Sequence, residues 1–254
     1  MINDKRVIAV VSARMGSTRL PGKVLLPLCE KPILFHIVER LRHSKYIDEV
    51  IIATSVNTGD NAIEKFCIDS DVRCYRGSEE DVLARVYEAA KMGSADIIYR
   101  GMGDSPLVDW RIVDKLIELL EEGGYDFVAN EITEPTYPIG FDATVFTMSA
   151  LKDGYETATH PEMREHVTVH IKTNPKRYNI GALIAEGEMI APHLRLTLDT
   201  PLDYQVITRV FDALYPLNPD FSAIDTLDFL KKNPEVSGIN SEVAQKVPTL
   251  LINN

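Results

Sequence analysis

The chain is poor in cysteine and in tryptophan, and it has few positive charges for its 254 residues. Its three cysteines, Cys29, Cys67 and Cys74, stand at wide, unpatterned spacing without a C-x-x-C pair, which argues against a disulfide framework or a thiolate zinc site. No apolar run approaches the roughly 20 residues that span a bilayer. The short apolar run at 7–11 leads into Arg14 and not into a small-residue cleavage site, so it reads as a buried first strand rather than a signal peptide. The expected setting is the cytoplasm. Lys and Arg number 27 against 38 Asp and Glu, a formal net charge of −11. Nucleic acid and anionic membranes both select for a positive surface field, so neither is expected as a partner. Any anion this chain binds must be met by a few cations placed locally.

What the chain does have is a core: 45% of its residues are hydrophobic, enough for one large α/β unit. Residues 7–13, 49–54, 72–75 and 95–99 read as buried strands. They alternate with amphipathic helices over 32–44, 60–69, 79–92 and 109–122, and 126–130 reads as one more strand. Such alternation predicts an α/β fold, a mostly parallel mixed sheet flanked by helices, with ligands bound outside the carboxyl ends of its strands. The pattern breaks after Asn130. A turn-rich stretch at 134–140 precedes an expected strand at 141–147, helices at 148–157 and 161–173, and strands at 178–185 and 194–198. Residues 131–190 are read as an inserted subdomain, after which the chain returns to the main sheet. Helices at 201–214, with Pro201 in the first turn, and at 224–232 close the pattern.

The loop after the first strand is Ser12-Ala-Arg14-Met-Gly16-Ser17-Thr18-Arg19-Leu-Pro21-Gly22-Lys23. It sets Arg14, Arg19 and Lys23 among glycines and hydroxyls with no acid between them, a local reversal of sign in an acidic protein. Polyphosphate recognition needs that combination of close backbone approach and fixed cations. The spacing fits neither a Walker A loop nor G-x-G-x-x-G. A second segment, Arg100-Gly-Met-Gly-Asp104-Ser-Pro-Leu107, follows another buried strand, and a third puts Asp199 in Leu194-Arg-Leu-Thr-Leu-Asp199-Thr-Pro201. Taken singly, either aspartate is more often a helix N-cap than a ligand. Two of them facing a basic phosphate loop suit a shared Mg²⁺ site, because that ion binds one or two carboxylates together with substrate phosphates. His166 and His170, spaced i, i+4 on one expected helix, lack a third ligand and read as packing or substrate-side residues.

The motifs ARMGSTRLPGKVL (13–25), IIATS (51–55), RGSEEDVLAR (76–85), RGMGDSPLVD (100–109), YPIGFDATVF (137–146), REHVT (164–168) and LTLDTPLDY (196–204) run through most of the chain. In these it resembles cytidylyltransferases that make nucleotide sugars, similar to CMP-Kdo synthetases and to the spore coat polysaccharide biosynthesis protein F family. The resemblance implies a single Rossmann-like nucleotidyltransferase domain over 1–254 that uses CTP and Mg²⁺. It would transfer CMP to a sugar or sugar-acid acceptor for surface polysaccharide or glycoconjugate precursors, releasing pyrophosphate. Carried onto this chain, Ala13, Arg14, Met15, Gly16, Ser17, Thr18, Arg19 and Lys23 would hold the CTP phosphates. Arg76, Gly77, Ser78 and Asp81 would lie near the cytosine and ribose. Asp104 and Asp199 would bind magnesium, with Arg19, Lys23 and Asp104 as catalytic residues. Arg100, Asn130, Tyr137, Gly140, Arg164, Glu165 and His166 would meet the acceptor, and 131–190 would also form a homodimer. The resemblance departs at Thr144, where family members often carry an acid. Two other readings stay open: a glycosyltransferase, which would be expected to carry D-x-D where this chain has Gly103-Asp104-Ser105, and a non-catalytic nucleotide binder.

Overall fold

The computed structural model describes residues 1–132, 135–245 and 249–252, so Glu134 of the turn-rich stretch lies outside the described residues. β1 (Val7–Ser12) runs through the middle of the sheet, and its five apolar side chains have no exposed surface. Val7, Ala9 and Val11 enter one hydrophobic layer while Ile8 and Val10 enter the other. This is the alternation that turns a continuous apolar run into a strand buried on both faces. After a long loop come the paired dipeptides β2 (Pro27–Leu28) and β3 (Lys31–Pro32), then α1 (Ile33–Arg42), β4 (Ile47–Ser55), α2 (Asn61–Asp69), β5 (Arg73–Gly77), α3 (Val82–Met92), β6 (Ile97–Met102) and α4 (Trp110–Gly123). The second half holds β7 (Phe127–Ala129), β8 (Thr144–Thr147), α5 (Met148–Thr157), α6 (Pro161–Glu165), α7 (Val169–Lys172), β9 (Ile180–Ala182), α8 (Pro201–Leu214), α9 (Ala223–Lys232), α10 (Pro234–Gly238) and α11 (Thr249–Ile252).

The main sheet has seven strands in the order β5-β4-β1-β6-β8-β7-β9. β8 is antiparallel to both its neighbours and the other pairings are parallel, which is the mostly parallel mixed sheet expected. α1, α2, α4, α8 and α9 bury apolar faces on one side, and α3, α5 and α7 on the other. From β1 the chain goes to β4 on one flank and later to β6 on the other, so strand order reverses between β1 and β6. A crevice opens outside the carboxyl ends at such a switch point. In register, Ser12 lies beside Met102, and Gly103 N–H donates to Ser12 O at 2.9 Å, which sets the 13–23 loop against Asp104.

Several elements differ from expectation. The helix expected over 161–173 is two short ones, because His166 leaves the helical region (φ −108°, ψ 88°) and Val167 buries into the core. His166 and His170 therefore share no helical face, and His170 packs by hydrogen bonds to Tyr178 Oη (2.8 Å) and Thr157 Oγ1 (3.2 Å). Residues 194–198 form no strand: their one β-bridge pairs Arg195 with Ile139, while Leu198 N–H turns to Asp104 O at 2.8 Å. α3 begins at Val82 and not at 79, because the Asp81 carboxylate caps Ala84 N–H at 2.9 Å. β6 extends through Met102, so Arg100 is a strand residue rather than a loop residue. The 131–190 segment contributes β8 and β9 to the main sheet, with β8 between β6 and β7. No helix among the described residues is long and apolar enough to cross a membrane.

Candidate active site

The 13–23 loop is anchored by hydrogen bonds to β4 and to Asp60. Ala13 N–H reaches Ala53 O at 3.1 Å, while Asp60, buried at the start of α2, accepts Met15 N–H at 2.7 Å and Ser55 N–H at 3.2 Å. Gly22 N–H closes the loop onto Met15 O at 3.1 Å, and its φ of +69° is a conformation that glycine adopts without strain. Asp60 was legible in the sequence only as an acid near a helix start. Its carboxylate serves the loop and makes no side-chain cap on α2.

Across the crevice, Lys23 Nζ donates to Asp104 Oδ2 (2.7 Å), Asp199 Oδ1 (2.8 Å) and Leu198 O (2.8 Å), which uses all three ammonium protons. Arg19 Nη2 lies 3.2 Å from Asp199 Oδ1. Neither aspartate is a helix cap, for Asp109 caps α4 and Thr200 caps α8. Burial alone would raise the Asp199 carboxyl, but the Lys23 ammonium, then Arg19 and Arg195, hold it below the ordinary carboxylate range. Asp104 Oδ1 is buried and has no hydrogen-bond partner among the described residues. An orphan carboxylate oxygen beside a second hard carboxylate is a donor set that fits Mg²⁺. Among the described residues no cluster of three or more His, Cys, Asp or Glu side chains could hold a metal, so phosphate oxygens would have to complete the shell.

These groups surround a cavity of 430 Å³. It is lined by loop residues 12–14 and 16–19 with Lys23, by Arg100, Met102, Gly103 and Asp104, by Val82 and Arg85 of α3, and by Glu165, His166 and Asp199. Arg14 stands at the rim, 3.7 Å from Glu79 Oε1. Arg100 and Arg85 each bring a buried Nε that has no partner among the described residues. Burial pushes both guanidinium groups below their ordinary pKa. Arg85 was missed by sequence reasoning, although an arginine in the apolar stripe of α3, among buried Leu83, Val86 and Ala89, was a readable signal.

Other nominated residues lie outside that lining. Arg76 is spent on Ser55 O, Asn57 O and Glu64, and Gly77 ends β5 beside it. Ser78 Oγ accepts Asp81 N–H, and Asp81 also receives Arg164, whose Nη1 donates to Tyr155 O at 2.7 Å. Asn130 braces the following turn through Phe141 O (2.9 Å) and Ala143 N–H (2.8 Å), and Tyr137 is buried in the core. Gly140, at φ +108°, allows a close approach, since a Cβ there would lie 2.4 Å from the Leu196 carbonyl carbon. Beyond it Asp142, unmarked in the sequence, has its carboxyl pushed up to about 6 by burial and by Glu131.

A family model described as cytidylyltransferase matches residues 8–224. The chain belongs to the cytidylyltransferase family. Spore coat polysaccharide biosynthesis protein SpsF of Bacillus subtilis (strain 168) is 35% identical over 243 residues, covering 93% of this chain and 98% of that protein. The solved structure of a cytidylyltransferase from Leptospira borgpetersenii serovar Hardjo-bovis is 32% identical, with a TM-score of 0.85 over 96% of this chain and 99% of that one. CMP:2-keto-3-deoxy-manno-octonic acid synthetase, solved in complex with CTP, shares the fold at a TM-score of 0.61 and 20% identity, over 82% of this chain and 98% of that one. Both the resemblance seen in the motifs and the nucleotidyltransferase fold are thus borne out. For this cytidylyltransferase, the reading as a glycosyltransferase loses its support.

Proposed function

We propose that the chain transfers CMP from CTP to a hydroxyl of a sugar or sugar-acid acceptor, supplying a surface polysaccharide precursor in the cytoplasm. The observation that carries this reading is Lys23, set between Asp104 and Asp199 beside a basic loop at the switch point of the sheet. In the reaction a bond forms between the acceptor oxygen and the α-phosphorus while the bridging bond to the β-phosphate breaks, and pyrophosphate leaves in line. Asp104 and Asp199 would hold Mg²⁺, which when bound neutralises phosphate oxygens and lowers the pKa of a coordinated hydroxyl. Backbone N–H groups of the 13–19 loop other than those of Ala13, Met15 and Ser17, which are bonded within the protein, orient the β- and γ-phosphates together with Arg14 and Arg19. Lys23 places its charge where negative charge grows on the departing pyrophosphate. Arg100, Glu165 and His166 face the same cavity and are the side chains assigned to the acceptor. Because the buried Arg100 Nε has no partner among the described residues, an acidic acceptor suits it best. The 131–190 segment is the surface assigned to a homodimer.

The test is calorimetric titration with CTP, UTP, ATP and GTP, each with Mg²⁺, and with CTP in EDTA. CTP is expected to bind in preference to the others and more weakly without metal, and pyrophosphate release then identifies the acceptor. Equal binding of all four nucleotides would overturn the reading.

A further inference from the structure

Asp199 divides its two oxygens between the cavity and the protein interior. Oδ1 meets Lys23 (2.8 Å) and Arg19 (3.2 Å), both cavity residues. Oδ2 turns inward to Arg195 Nη2 at 3.0 Å. Arg195 is only 5% exposed and is gripped on every side. Its Nε donates to Asp203 Oδ1 at 2.9 Å, Nη2 also reaches Asp203 Oδ2 at 3.2 Å, and Nη1 donates to Gln245 Oε1. Asp203, with no exposed surface, accepts the backbone N–H of Asp199 (3.0 Å) and of Thr200 (2.8 Å). Asn240 ties the same carboxylate (2.8 Å) to Arg195 O (3.0 Å). One buried acid therefore fixes both the backbone of Asp199 and the guanidinium that holds its side chain.

The consequence is geometric. Asp199 cannot rotate to present both oxygens to the cavity without breaking a charge-assisted hydrogen bond to a buried cation, which would leave that cation under-satisfied. Mg²⁺ and Mn²⁺ are at home with single-oxygen carboxylate ligands in an octahedral shell, whereas Ca²⁺ accepts more ligands and often takes a carboxylate through both oxygens. We propose that Arg195 is a positioning residue that confines Asp199 to one cavity-facing oxygen and so biases the site toward small octahedral cations over Ca²⁺. This rests on the two-carboxylate metal site of the proposed function.

The experiment follows bound Mn²⁺ by its paramagnetic resonance signal, in the full-length protein with CTP, while Ca²⁺ is titrated in as competitor. Wild type is expected to release Mn²⁺ only at large Ca²⁺ excess. Arg195→Met should shift the competition toward Ca²⁺ by about tenfold or more, the scale on which groups that orient metal ligands act. Arg195→Lys, which keeps one donor for Oδ2, should restore most of the preference. An Arg195→Met protein that is folded by circular dichroism and keeps the wild-type Ca²⁺/Mn²⁺ ratio overturns the proposal, as does equal weakening of both ions. If Arg195→Met does not fold, Gln245→Ala decides, because that side chain is exposed and its loss loosens the guanidinium without stranding it. A shift toward Ca²⁺ in that variant supports the proposal and an unchanged ratio overturns it. Wild type that binds no Mn²⁺ with CTP would instead overturn the metal site itself.

Discussion

Replacing Lys23 with methionine keeps the length of the side chain and deletes its charge. The ammonium makes three hydrogen bonds of 2.7–2.8 Å, two of them to carboxylates. The side chains of Lys23, Asp104 and Asp199 are 11%, 24% and 15% exposed, so this is neither a surface pair nor a fully buried one. Exposed pairs are worth under about 1 kcal/mol, and breaking a buried one costs about 3–5 kcal/mol. The intermediate burial places Lys23→Met at about 2 kcal/mol of lost stability near pH 7, or about 4–8 °C in Tm for a chain of this size. The pH dependence has a definite sign. Asp199 has a depressed pKa in the fold, so its stabilising contribution is present above the ordinary carboxylate value and is lost as pH falls through the depressed one. Melting curves of variant and parent should therefore converge as pH falls toward and below about 4. Two carboxylates freed of their shared cation also become a better site for a divalent ion. Millimolar Mg²⁺ without nucleotide should recover part of the lost Tm in Lys23→Met and do little to the parent. Turnover with CTP should drop by about 10²–10³, the effect of removing one preorganised donor from a site of developing charge. A variant as stable as its parent, or a deficit that persists undiminished in acid, would refute the reasoning.

Three further outcomes follow from the geometry. Asp60→Ala leaves Met15 N–H and Ser55 N–H without their acceptor, so it should cost about 1–3 kcal/mol in urea unfolding and weaken CTP binding in calorimetry; unaltered CTP affinity would count against the loop-fixing role. Gly140→Ala puts a Cβ 2.4 Å from backbone at a φ of +108°, so it should lose about 2–4 kcal/mol, and wild-type stability would contradict the close approach. Asp142, with its carboxyl pushed up to about 6, opposes folding increasingly as pH rises from about 4 to 6 and constantly above that. Asp142→Asn should therefore melt higher than the parent at pH 7.5 by the equivalent of about 1–3 kcal/mol and level with it near pH 4. A pH-independent difference would refute the assignment.

The sheet was readable because its signal is local. β1, β4 and β6 are runs of apolar residues buried on both faces, and their periodicity needs no knowledge of partners. Helices α5 and α8 were placed to the residue by their own patterns and boundary residues. The start of α3 was displaced by a local cap, Asp81 on Ala84 N–H, but in two other places a non-local contact accompanies the departure from a local preference. Val167 buries and breaks a helix that its neighbours would have continued. Leu198 N–H turns to Asp104 O, distant in sequence, and an alternating segment that reads as a strand is left with one bridge at Arg195.

The site divides in the same way. Arg19, Lys23, Asp104 and Asp199 stood out because charges in the loops that follow apolar runs contrast with their surroundings, and those four converge. Their convergence could not be read from order alone, since 175 positions separate Lys23 from Leu198, whose carbonyl it reaches. Asp60 and Arg195 carried no such contrast, for each lies at a helix start or in a loop where a charge is ordinarily solvated, whereas Arg85 interrupts the apolar stripe of α3. Only burial shows that their charges must be answered from inside: Asp60 by the 13–23 loop, Arg195 by Asp203 and Asp199. Among the described residues Arg85 is answered only in part, by Ser78 O, with its Nε left over. A guanidinium left so incompletely paired at the edge of a 430 Å³ cavity is costly unless an anion completes it. The same cost falls on Arg100, whose Nε likewise has no partner among the described residues and which lines the same cavity.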